Sequence, residues 1–332
     1  MKQYPKVVVI GGGTGTYAVL SGLKKYPVHL SAIVTMMDSG GSTGRLRDQL
    51  GVLPPGDLRQ SLVALSESTE IWRNLFAYRF DNGDLEGHNF GNIFLSSLEM
   101  ITGSNERAIH YAARLLKTKG KVIPVTLTKS TLCAKYSDGT ILEGEKLIDY
   151  APAPRARINY VYLSPRAVIN PNARKAIETA DFLIFGPGDL YTSIIPNLIV
   201  DDMDDAIRKS KANKIFCINL MTKLGQTDGF KASDFVTELY KYLGGAMVDS
   251  LVVNNKEPDK EVVDWYARSG DAFLVEDDLD SIGGDIEVFR GDLLSDTRYE
   301  QSLSDRIQRS LIRHDPDKLA KVLSEVIQKI LG

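Results

Sequence analysis

At 332 residues, with 43% hydrophobic and 25% charged residues, the chain has the size and composition of one large α/β domain or two unequal lobes. Its formal charge of −3 gives no basic footprint for nucleic acid or an anionic membrane surface, so neither is an expected partner. Cys133 and Cys217 lie far apart and outside any Cys-x-x-Cys spacing, which argues against a disulfide framework or a zinc site and suits a reducing cytoplasm. No apolar run reaches signal-peptide or membrane-span length, so a cytoplasmic location is expected.

The chain opens as a βαβ unit, with strands predicted over 6–10 and 30–36 and a helix over 17–25. A right-handed crossover makes the two strands parallel neighbours whose ends, Gly11 and Asp38, share one sheet edge. Successive helical segments follow over 58–66, 71–80, 92–101 and 106–117, which suggests a helical insertion or lobe at about 57–117. Strand patterns return at 121–127, 131–136 and 140–143, the last two joined by Ser137-Asp138-Gly139. Regular alternation then predicts strands near 158–163, 181–185, 214–219, 249–253, 271–275 and 285–289, with helices near 170–179, 202–210, 231–243 and 259–269. The last helix starts with Asp315 as cap and Pro316 as first residue and carries an apolar stripe from Leu319 to Leu331. The expected fold is a single α/β domain over 1–332, a doubly wound, mainly parallel sheet between two helical layers.

The chemistry is expected at the strand ends. Gly11, Gly12, Gly13, Thr14 and Gly15 follow an apolar strand and precede a helix, so bare backbone and a helix N-terminus can meet a phosphate. A dinucleotide fingerprint needs glycine where Thr16 stands, and a tight turn that binds nothing explains the cluster too. In the second loop, Gly40, Gly41, Ser42 and Thr43 can donate to phosphate oxygens, Arg45 can neutralise charge, and Asp38 can hold Mg²⁺ or a ribose hydroxyl. Asp57, after Pro54-Pro55-Gly56, reads as a helix N-cap. Asn89 and Asn92, beside His88 in a glycine-framed loop, suit recognition of a base, sugar or phosphate. Gly186, Gly188, Thr192 and Ser193 echo the first loop on a later strand and can face it where strand order reverses. Asn219 and Thr222 lie in a further strand-end loop, Tyr266 can cover a base or fill the core, and Arg313 can fork onto a diphosphate. The four histidines show no metal-ligand spacing.

The set Gly11–Gly15, Gly40–Arg47, Pro54–Arg59, Gly87–Asn92, Gly186–Ser193, Asn219–Gly229 and Arg313–Pro316 resembles, in order and over nearly the whole chain, the gluconeogenesis factor (YvcK-like) branch of the CofD-like family. The resemblance implies a cytoplasmic, Rossmann-like protein that binds UDP-sugars such as UDP-N-acetylglucosamine and is tied to cell shape, cell-envelope synthesis and growth on gluconeogenic carbon. It implies a nucleotide site at Gly12, Gly13, Thr14, Asp38, Asn219, Tyr266 and Arg313, needs no cofactor, and admits a homodimer and protein partners in cell-envelope synthesis. The related branch is a 2-phospho-L-lactate transferase of F420 biosynthesis that uses Mg²⁺, for which Asp38 is the metal ligand. Three departures stand out. Ser39 replaces a second acidic residue, which favours binding over transfer. Asp189 replaces a serine, and its carboxylate either repels a phosphate or recruits a cation. The segment 296–310 is longer than the usual connection before Arg313.

Three functional classes follow: a non-catalytic UDP-sugar-binding regulator, an Mg²⁺-dependent transferase of a phosphorylated group, and a nicotinamide dehydrogenase. The last fits the opening βαβ unit, but the chain has no Tyr-x-x-x-Lys pair and no histidine that stands out as a proton donor.

Overall fold

Val7, Val8, Val9 and Ile10 pair on one flank with residues 30–33 and on the other with 182–185, so β1 (Lys6–Gly11) lies inside the sheet with these side chains buried. A strand covered on both faces needs such an unbroken apolar run. The computed structural model describes residues 4–150, 156–245, 248–269, 272–283, 285–296 and 312–332.

Seven parallel strands run in the order β10-β9-β8-β7-β1-β2-β3. Here β2 is His29–Val34, β3 Lys121–Pro124, β7 Phe182–Phe185, β8 Asn213–Cys217, β9 Ser250–Asn254 and β10 Glu287–Gly291. The chain winds outward from β1 through β2 and β3, returns to lay β7 on the other flank of β1, and winds away in the opposite direction. Right-handed crossovers in opposite directions put helices on opposite faces, which makes the fold doubly wound. On one face α1 (Gly13–Leu23) packs against α3 (Gly56–Leu65) and α13 (Pro316–Leu331). The other cluster contains α8 (Pro171–Glu178), α9 (Ile195–Leu198), α10 (Met203–Lys209) and α11 (Ala232–Leu243).

Of the helices within 57–117, α3 and α6 (Asn105–Leu116) pack on β3 and cover the sheet directly. Outside them lie α4 (Glu70–Ala77) and α5 (Phe90–Thr102). A second, antiparallel sheet has the order β5-β4-β6, with β4 at Thr131–Tyr136, β5 at Ile141–Glu143 and β6 at Ile158–Ser164. Asp315 caps α13 as its position before Pro316 predicts, its Oδ1 accepting the amides of Asp317 and Lys318, both at 2.9 Å.

Several predicted elements change. The first helix starts at Gly13, so the glycine loop is itself the first turn. Much of the second loop is helix α2 (Gly41–Leu50), and α7 (Glu145–Tyr150) has no counterpart in the sequence pattern. Residues 272–275 form no strand of the main sheet: Leu274 makes an isolated antiparallel bridge to Met221, and the edge beside β9 is taken by β10. Beyond Asp296, the long connection noted at 296–310 lies outside the described residues. Among the described residues, no helix is long and apolar enough to cross a membrane.

Candidate functional site

Strand order reverses between β1 and β7, and the two glycine loops that follow these strands abut. A methyl group at Gly15 would fall 2.0 Å from the Pro187 carbonyl oxygen, so glycine is what permits the approach. Asn197 clamps the junction from α9, donating through Nδ2 to the carbonyls of Gly11 at 3.2 Å and Ser193 at 2.8 Å. Asn219, two residues past β8, accepts the Gly188 amide at 3.4 Å. The loops after β1, β7 and β8 therefore converge at one edge, with Gly12 buried, Gly13 and Gly188 half-buried and Thr14 open to solvent. Thr192 and Ser193 sit on a π turn, Leu190–Ile194, that leads into α9. A π turn re-aims side chains that a regular helix would place elsewhere.

The second loop and the first turn of α3 complete the cleft with a pair of carboxylates, Asp38 and Asp57. Asp38 Oδ1 accepts the Gly40 amide at 2.8 Å, and Thr43 also hydrogen-bonds this carboxylate. Asp57 is not the N-cap predicted for it: Pro55 occupies that place, and Asp57 in the first turn of α3 accepts the Gly13 amide through Oδ1 at 2.9 Å. Its Oδ2 lies where a methyl group on Gly12 would come within 2.4 Å. Burial, and then repulsion from Asp38, push the Asp57 carboxyl up to about 7. Burial raises Asp38 as well, against the pull of the Gly40 amide, Thr43 and Arg59.

Other predicted residues serve the frame. Asn89 is the N-cap of α5: its Oδ1 accepts the Asn92 amide at 3.1 Å, and its Nδ2 donates to the carbonyls of Ala77 and Tyr78, each at 2.9 Å. Ser42 is buried and accepts the Asn89 amide at 3.1 Å. Arg45 donates to the Glu86 carbonyl at 2.8 Å, which turns it toward the 81–88 loop. Asn92 accepts from Arg59 Nε at 2.9 Å and donates to Thr43 at 3.2 Å, so it positions two residues beside Asp38. Gly40 and Gly41 open α2, the latter exposed. Thr222 exchanges hydrogen bonds with the Phe273 backbone, 2.7 Å through its amide and 2.9 Å through its hydroxyl. Tyr266 is buried among core residues on α12 (Lys260–Ser269). Arg313 accepts the Ser295 amide through its carbonyl, beside His314, whose ring donates to the Ile218 carbonyl next to Asn219.

Site residues outside the predicted ligand set include Asp57, Arg59, Glu145, Asp149, Lys223 and Gln226, the last two within the strand-end loop Asn219–Gly229. Glu145 and Asp149 stand one turn apart on α7. Glu145 Oε2 accepts the Ser39 amide at 3.3 Å, and Ser39 Oγ accepts the Lys146 amide at 2.9 Å. Asp149 receives Thr192 Oγ1 at 3.0 Å, Gln226 Nε2 at 2.8 Å and Lys223 Nζ at 2.8 Å. Lys223 also pairs with Asp189, so that carboxylate recruits a cation from within the chain. Burial alone would lower Lys223; the Asp189 and Asp149 carboxylates reverse this and raise it. Glu145 is pushed well up by burial, then by Asp38 and Asp149. Glu145 and Asp149 lie on a six-residue helix that the sequence pattern does not mark, so only their tertiary partners reveal them.

Among the described residues, no group of three His, Cys, Asp or Glu is arranged to hold a metal ion. Asp38 and Asp57 supply hard oxygen donors at one place, which fits an Mg²⁺ that keeps its waters and takes further ligands from substrate phosphate.

Fold and site together define an open, doubly wound α/β protein whose loops gather at the carboxyl edge of a parallel sheet, where such folds take their ligands. Residues 7–294 match the family model described as 2-phospho-L-lactate transferase CofD. The chain belongs to the CofD family. It is 40% identical over 324 residues to a gluconeogenesis factor of Listeria innocua, covering 96% of this chain and 94% of that protein. It is 36% identical over 332 residues to the gluconeogenesis factor of Bacillus subtilis, covering 99% and 100%. The crystal structure of a UPF0052-family protein from Bacillus halodurans superimposes with a TM-score of 0.88 at 36% identity, covering 97% of this chain and all of that one.

Proposed function

We propose that this protein binds a UDP-sugar of the UDP-N-acetylglucosamine type in the cleft between β1 and β7, and acts as a regulator linked to gluconeogenic growth, cell shape and cell-envelope synthesis. The observation that carries the reading is the contact between the two glycine loops at the α1 N-terminus, where backbone amides and the helix dipole favour a diphosphate. Its relatives' description as gluconeogenesis factors supports the metabolic link. Thermal unfolding with UDP-N-acetylglucosamine tests it: a ligand at 100 times its dissociation constant stabilises by about 2.7 kcal/mol. A melting temperature that stays fixed with UDP-N-acetylglucosamine, UDP-glucose and UDP alike removes the reading.

The Asp38–Asp57 pair favours a second reading, an Mg²⁺-dependent transferase of the 2-phospho-L-lactate type. Asp38 and Asp57 would hold the ion, which supplies charge neutralisation for a phosphate group, while Arg59 opposes the rise that burial imposes on both carboxyls. Turnover of a deazaflavin with a lactyl or phosphoenolpyruvyl nucleotide donor, lost in Asp38→Asn while nucleotide affinity is kept, supports this reading. No turnover with any such donor excludes that substrate class.

A further inference from the structure

Among the described residues, the carboxylates of Asp38, Asp57, Glu145, Asp149 and Asp189 surround the mouth of the glycine loops, with Arg59 and Lys223 as the cations between them. A diphosphate entering this setting meets like charge at close range in a partly desolvated place. Binding therefore requires that some of the resident negative charge move away or change partner.

The structure shows which charge is easiest to move. Glu145 and Asp149 sit on α7, a six-residue helix in which Ile148 is the buried residue, while Leu147 and Tyr150 are 55% and 46% exposed. An element with so little apolar burial opens at low cost. Polar contacts hold it across the cleft, to Ser39 at one end and to Thr192, Lys223 and Gln226 at the other. Gln226 spends its Nε2 on Asp149, while its Oε1 is buried with no hydrogen-bond partner among the described residues. An orphaned buried acceptor is costly, and it marks a place able to receive a donor from a bound molecule.

We propose that Lys223 is a phosphate-binding residue and that Asp149 is its resident substitute. A phosphate oxygen of the ligand takes the Lys223 ammonium in exchange for the Asp149 carboxylate, and α7 is thereby released from the cleft. No covalent bond changes. The release removes two carboxylates from the neighbourhood of the diphosphate and rearranges the exposed surface around Leu147 and Tyr150. Ligand occupancy is in this way written onto the small antiparallel sheet that α7 adjoins. The identity of the ligand rests on the nucleotide-sugar reading above; the exchange itself needs only a phosphate dianion.

Amide hydrogen exchange over residues 145–150, measured on the full chain with UDP-N-acetylglucosamine and separately with inorganic pyrophosphate, tests the exchange. Saturation with either probe is expected to speed exchange in this segment at least tenfold. In Asp149→Asn the segment should exchange fast without ligand, and the probe should bind about tenfold tighter because no contact has to be broken. Lys223→Met should lose at least tenfold in affinity, and Lys223→Arg should retain binding; a cooperative melt of Asp149→Asn keeps the test open should the methionine variant unfold. Unchanged or slower exchange over 145–150 at saturation, or an Asp149→Asn variant that binds no tighter, overturns the proposal. If pyrophosphate loosens α7 but UDP-N-acetylglucosamine does not bind, the nucleotide-sugar reading falls and the exchange stands. If neither probe binds, both fall.

Discussion

The amide of Gly13 donates to Asp57 Oδ1 at 2.9 Å, across 44 positions of sequence, so the first turn of the phosphate-type helix is capped by a carboxylate from another helix. An N-terminal amide attracts anions, and the chain supplies one of its own. The position of α3 against α1 is what brings the two together.

The burial of Asp57 beside Asp38, which outweighs the pull of the Gly13 amide, makes stability depend on pH. Burial and then Asp38 push the Asp57 carboxyl up to about 7 in the folded protein, against about 3.9 in an unfolded chain. The folded state therefore binds the extra proton, so the contribution is complete below about pH 4 and is lost as pH rises toward 7. Replacing Asp57 with Asn should flatten this loss, leaving the variant more stable than the parent at pH 8 by on the order of 2 kcal/mol. Urea unfolding at pH 5 and pH 8 checks the sign; a parent protein whose stability climbs over that interval contradicts it.

Gly15→Ala should be far more disruptive than an ordinary helix substitution. The new methyl group meets the Pro187 carbonyl at 2.0 Å, and neither backbone can yield without parting the two glycine loops. A loss of about 3 kcal/mol is expected from overpacking of this kind. Denaturant midpoints measure it, and a midpoint within error of the parent's would show that the loops are not tightly opposed.

The arginines separate by geometry. Arg45 is turned to the Glu86 carbonyl, whereas Arg59 is held by Asn92 beside Asp38 and Asp57. Arg59→Ala should weaken nucleotide-sugar binding about tenfold, the ~1.4 kcal/mol of one lost charge-assisted contact. Arg45→Ala should change it less than twofold. Calorimetric titration distinguishes the two, and the reverse ranking would move the site toward the 81–88 loop.

Asn89→Ala should cost about 2 kcal/mol in stability through loss of the α5 cap and of its two donations to Ala77 and Tyr78. Ligand affinity should be retained, since every polar group of this side chain is already used inside the frame. A stable variant with tenfold weaker binding would return Asn89 to the cleft.

Local sequence was enough for most of the elements and for their order. Short apolar runs ended by glycine, such as Val7–Ile10 and Phe182–Phe185, suit strands covered on both faces, and Asp315-Pro316 fixes a helix start through one side-chain oxygen and one locked φ. The glycine clusters after β1 and β7 were legible because close backbone approach excludes a Cβ, a constraint written in residue type. Helix α2 was hidden because Gly40-Gly41-Ser42-Thr43-Gly44 has low helical propensity, and α7 because six residues show too little of a period. The segment 272–275 has strand composition, yet its partners are Met221 and Thr222 in the loop after β8.

What only the tertiary structure decided is which polar side chains face one another. Composition and periodicity determine what a segment becomes, because they act through bonds and neighbours a few residues away. Whether Asp57 meets Gly13, or Lys223 is shared by Asp149 and Asp189, depends on packing contacts separated by 34 to 74 positions. Such pairings follow from the way apolar faces dock, and the polar residues carried to the cleft by that docking leave no local mark in the chain.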